Sequence, residues 1–155
     1  MEIRRACRSR IPKTVGVFVS SARVSGGLLV LAAGVLHLWL YFDYFHRVHV
    51  IGVLFLLNAA TAAVVGLTLF LSLHPLAAAA GVVYSAATLV GFFLSVYVGL
   101  FGYVESLTGS YQEAAAGIEF AAIAVLLPLL AVLTRGRPLE ARRSSIARAP
   151  LIRGR

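Results

Sequence analysis

Four apolar runs, at residues 24–42, 50–73, 76–100 and 114–134, constrain this chain more than any other feature. Each is close to the ~20 residues a helix needs to cross ~30 Å of hydrocarbon. Lipid offers backbone amides no hydrogen-bond partner, so each run must satisfy its own polar groups as a helix. The expected fold is therefore all-α, a transmembrane four-helix bundle. Hydrophobic residues make up 60% of the 155-residue chain and the mean hydropathy is +0.91. Soluble domains are usually only about 45–50% apolar even when glycine is counted.

Charge orients the bundle. Six of the 14 Arg and Lys residues precede the first run and seven follow the last; only Arg47 lies between. Cytoplasmic segments flanking membrane spans carry the excess of Arg and Lys. Both termini are thus expected in the cytoplasm, with a basic tail over residues 1–23 and a second, disordered basic tail over 135–155. The connecting segments 43–49 and 101–113 then face outward. Net charge is +8, but its confinement to the two ends argues against nucleic acid and for anionic lipid as the neighbour of the tails. Cys7 is the single cysteine, which excludes an internal disulfide and a Cys-rich metal site. The first apolar run starts too late and runs too long for a secretory signal, so it reads as an uncleaved span. Residues 14–22 read as a short amphipathic piece at the interface.

Within lipid, helices associate through small residues and interhelical hydrogen bonds. Steps of three and four residues place Gly27, Val30, Gly34, His37 and Tyr41 on one face of helix 1. The corresponding faces are Asn58, Thr61, Val65, Thr68 and Ser72 on helix 2, and Gly81, Ser85, Thr88, Phe92, Ser95, Gly99 and Gly102 on helix 3. Helix 4 offers Ala115, Glu119, Ala122, Leu126 and Leu129. Pro128 lies inside that helix and is expected to kink it.

The stretch from 31 to 58 concentrates unusual residues: three of the four histidines, the only tryptophan and the only asparagine. His37 is five residues below Phe42 and Glu119 five below Ala114, ~7–8 Å at about 1.5 Å per residue. Asn58 is ~12 Å below Val50 by the same rise. His37, Asn58, Ser95 and Glu119 are therefore expected to converge on the outer half of the bundle as a ligand or proton pocket. A carboxylate at membrane depth needs a partner, and His37 is the expected one for Glu119. His46 and His49, with Asp43 and Glu105, form a candidate shell for zinc or copper. His74 lies at the opposite end of helix 2, which argues against a haem shared with His37. No nucleophile elbow, zinc-protease, P-loop or dinucleotide motif is present.

The words HLWLYF at 37–42, IGVLFLLN at 51–58 and GFFLSVYVGLFGYVE at 91–105 resemble small four-span membrane proteins of actinobacteria, over about residues 27–133. At the level of the fold the chain is also similar to the DoxX-like four-helix proteins. The resemblance implies a multi-pass protein of the bacterial inner membrane and carries no activity onto any residue. Two functional classes lead the reading of the sequence, ahead of a third, a membrane enzyme or redox protein. One is a non-enzymatic partner or accessory subunit, alone or as a homo-oligomer, with a buried His/Glu pair. The other is a membrane protein handling a small ligand, a proton or a metal in an outward-facing pocket.

Overall fold

The computed structural model describes residues 13–147, with side-chain surroundings from 14 to 135. The four arginines before Lys13, Cys7, and residues 148–155 lie outside the described residues. The fold is an all-α four-helix bundle: α1 (Lys13–Asp43), α2 (His49–Leu71), α3 (Pro75–Tyr97) and α4 (Ser110–Ala147), with one 3-10 turn at Phe45–Arg47. All four helices are long and apolar enough to cross a membrane, which makes this a multi-pass membrane protein.

Two boundaries differ from expectation. The segment expected to be a tail up to residue 23 is helical from Lys13, continuous with the first span. No proline interrupts residues 14–22, and Ala22 is buried in the core, with Val19 packed against it. At the other end α4 runs past residue 134 to Ala147, so the expected disorder from 135 does not hold over 135–147. Leu129 belongs to the same core as Ala22, and Leu130 and Leu133 pack against it. The two long helices thus share a core that extends toward the basic end. Pro128 does not interrupt α4.

The connections are built from local hydrogen bonds. Ser72 Oγ accepts from the His74 amide at 3.1 Å, and His74 Nδ1 accepts from the Leu76 amide at 3.2 Å. Pro75 follows at the first helical position, where its missing amide hydrogen costs nothing. Between α3 and α4, Leu100 and Tyr103 exchange backbone bonds of 2.8 and 2.9 Å. The two residues inside that turn both have positive φ, Phe101 at 52° and Gly102 at 82°, as a type I′ turn requires. The turn sends Tyr103 back toward the bundle.

Close backbone approach holds α1 to α2. A Cβ added at Gly34 would stand 2.5 Å from Ala62 Cβ, and one at Gly66 would stand 3.3 Å from the Gly27 carbonyl. Leu126 of α4 fills the space left by Gly26 of α1 and Gly81 of α3. Most of the inward faces expected for α1 and α4 is buried, including Val30, His37, Glu119, Ala122, Leu126 and Leu129, while Tyr41 and Ala115 are half-buried. On α2 the expected face is wrong by one residue. Ala62, Gly66 and Leu69 are buried, while Thr61 and Thr68 are exposed. Their hydroxyls instead bond carbonyls of their own helix, Thr61 to Leu57 at 2.8 Å and Thr68 to Val64 at 2.7 Å. A threonine that satisfies itself in this way needs no partner helix, so the small residues take the contact with α1. The rotation turns Asn58, Thr61 and Val65 toward α3, and α2 and α3 touch far less than the other neighbouring pairs.

Candidate functional site: a cavity with a buried carboxylate

The wide spacing of α2 and α3 leaves a cavity of about 880 Å³ inside the bundle, lined by all four helices and by the 100–105 loop. Leu57 of α2 and Val83 of α3 line it and are exposed, so it opens sideways between these helices. A smaller cavity of about 330 Å³ continues along the same groove toward Ser72 and His74, sharing Val65 and Ala80 with the first.

One polar network bridges the gap. The Tyr84 hydroxyl on α3 donates to Asn58 Oδ1 on α2. Asn58 Nδ2 donates to Thr88 Oγ1 at 3.3 Å, and Thr88 Oγ1 donates to the Tyr84 carbonyl at 3.0 Å. Two residues one turn apart on α3 and one on α2 therefore close a ring across the two helices. Beside it lies Glu119 of α4, 1% exposed, with Tyr84 and Ser85 as neighbours. Among the described residues neither Glu119 oxygen has a hydrogen-bond partner, and neither does the fully buried Ser85 hydroxyl. A buried polar group without a partner is costly, and an unpaired charge more so.

The outer wall is aromatic. Tyr103 meets Phe45 edge-on at 5.4 Å, Phe45 stacks on Phe55 at 4.3 Å, and Phe55 meets His37 at 5.1 Å. Glu105 organises the loop that lines the cavity. Its Oε1 accepts from the Ser106 amide at 2.9 Å and from Gln112 Nε2 at 3.1 Å, and its Oε2 from the Tyr103 hydroxyl at 3.4 Å. The Glu105 amide donates to the Ser95 carbonyl at 3.2 Å, which ties the loop to α3. Burial, followed by the Glu105 charge, pushes the Tyr103 phenol up to about 12.

The four residues expected to form a pocket, His37, Asn58, Ser95 and Glu119, all line this cavity. The expected His37–Glu119 bond is absent among the described residues. His37 Nδ1 donates to the Ala33 carbonyl of its own helix at 2.8 Å, and both Glu119 oxygens are unpartnered. A ring that reaches back one helical turn is held against α1 and is not extended toward α4. The proposed zinc or copper shell is not assembled either: no three His, Cys, Asp or Glu side chains converge among the described residues. His46 instead accepts from Arg47 Nε at 3.3 Å and faces the Tyr41 ring. Glu105 is committed to the loop, and Asp43 and Glu105 line the cavity while His46 and His49 do not. Tyr84, Phe45, Phe55 and Gln112 were not singled out from the sequence. Tyr84 precedes Ser85 on the small-residue stripe of α3, and only the wide α2–α3 spacing makes that neighbouring position point inward.

No family model, curated protein or solved structure matches the chain.

Proposed function

We propose that this multi-pass membrane protein binds a small, mainly apolar molecule inside its helical bundle. One observation carries this function: an unpartnered carboxylate, Glu119, buried in the wall of a cavity of about 880 Å³. Small-molecule sites are concave, about 300–1,000 Å³, mostly apolar, and hold a few polar groups that set orientation. The polar groups here converge on an interior cavity and not on an outer face, which favours ligand binding over an accessory-subunit role. The protein is assigned to the bacterial inner membrane with both ends cytoplasmic. Support comes from the Arg and Lys gathered, all but Arg47, at the two ends and from the resemblance to actinobacterial and DoxX-like four-helix proteins.

The test is native mass spectrometry of the chain extracted from its own membrane in mild detergent. The expected result is a retained small molecule that is lost in Ala116→Phe, which fills the cavity from α4. A chain that carries the same adducts in both forms would overturn the assignment.

A further inference from the structure

Building on the ligand-binding function proposed above, we infer that the molecule held in this cavity is a lipophilic organic cation. The chain has net charge +8 and only six Asp and Glu residues. Asp43, Glu105 and Glu119 all line the cavity, and among the described residues no Arg or Lys does. A basic protein thus places half of its carboxylates around one apolar space. Two of the three are held in distinct ways. Glu105 is held by Ser106, Gln112 and Tyr103 in the loop that lines the cavity, where its charge attracts a cation. Glu119 is 1% exposed with both oxygens unpartnered among the described residues, and it stands in the cavity wall. The imidazole of His37 commits its Nδ1 hydrogen to Ala33, so it does not compete for Glu119.

Charge decides between ligand classes. A neutral hydrocarbon would leave the buried Glu119 carboxyl without a polar partner. An anion would meet three carboxylates of its own sign. A cation with an apolar body pairs with Glu119 and lays its body on aromatic faces, and Phe45, Phe55, Tyr84 and Tyr103 supply them. The opening between Leu57 and Val83 admits such a molecule from the side, and the groove toward Ser72 accommodates its apolar substituents.

Tetraphenylphosphonium and tetraphenylborate share shape and apolar surface and differ in the sign of their charge. Binding of each to the full chain in lipid nanodiscs, after subtraction of empty nanodiscs, tests the inference. The expected result is saturable phosphonium binding with borate at least roughly tenfold weaker, and a Glu119→Gln variant that loses about 10- to 100-fold in phosphonium affinity, as expected for a hydrogen bond or ion pair to a charged group. If that variant does not fold, the phosphonium-to-borate ratio of the unaltered chain decides alone. Equal binding of both ions, or unchanged phosphonium binding by a folded Glu119→Gln, overturns the inference. Pyrene, a neutral probe of similar apolarity, separates the two levels. Pyrene bound without phosphonium leaves the ligand-binding function standing and removes the cation. Failure of all three probes removes both.

Discussion

Tyr84 on α3 reaches across the bundle and donates its phenolic hydrogen bond to the side-chain carbonyl of Asn58 on α2. This bond, with Asn58 Nδ2 to Thr88, spans the one helix pair that is loosely packed. It keeps α2 and α3 together around a cavity that would otherwise widen.

Replacing Asn58 by Leu removes both bonds and leaves the Tyr84 hydroxyl without its acceptor. Interhelical bonds in membrane proteins contribute about 0.6 kcal/mol on average and up to about 1.7. Asn58→Leu is expected to cost about 1–2 kcal/mol, measured by denaturant titration in mixed micelles. In a double-mutant cycle with Tyr84→Phe the losses should be less than additive, because the second change removes a group that the first has already orphaned.

His37 and Glu119 should behave oppositely. They share a cavity and no hydrogen bond. His37→Ala and Glu119→Gln are expected to add within about 0.5 kcal/mol. A larger coupling in the same titration would mean that the imidazole and the carboxylate engage each other.

The α1–α2 contact depends on Gly34, where a Cβ would stand 2.5 Å from Ala62 Cβ. Gly34→Val is expected to destabilise the bundle by about 1–3 kcal/mol, the usual cost of overpacking. The smaller Gly91→Ala serves as the control, since nothing stands within 4 Å of that Cβ. Thermal unfolding followed by circular dichroism compares the two.

Phe101 occupies a left-handed conformation, φ 52°, that costs a non-glycine residue about 1–2 kcal/mol. Its side chain is exposed, so little packing is lost on replacement. Phe101→Asn should stabilise the loop by roughly 1 kcal/mol, since asparagine tolerates this region better. Slower amide hydrogen exchange over residues 100–103 would report it.

Tyr103 gives the expected pH dependence. Its phenol is pushed up to about 12 by burial and by Glu105, above the ordinary value near 10. A raised value in the folded state means that folding favours the neutral phenol. That contribution is fully present below about pH 10 and is lost as pH rises toward about 12. The phenolate absorbance of Tyr103, taken as the difference between the unaltered chain and Tyr103→Phe, should titrate late. Glu105→Gln should bring the midpoint down.

The sequence by itself determined the number of helices, their approximate spans and the charge asymmetry of the ends, because hydrocarbon thickness and backbone satisfaction act on each segment separately. It also marked Glu119, His37, Asn58 and Ser95, since polar residues inside apolar runs are conspicuous one at a time. Tertiary structure decided what depends on pairs of helices. The rotation of α2 by one residue set Ala62, Gly66 and Leu69 against α1 and Thr61 away from it, a choice that spacing cannot make when small residues and threonines alternate along one helix. His37 turned to its own Ala33 carbonyl and not to Glu119, because a donor with an acceptor one turn away needs no second helix. The unequal packing of the four helices opened the cavity between α2 and α3 and left Glu119 in its wall without a hydrogen-bond partner among the described residues, and no single segment encodes the distance to its neighbour.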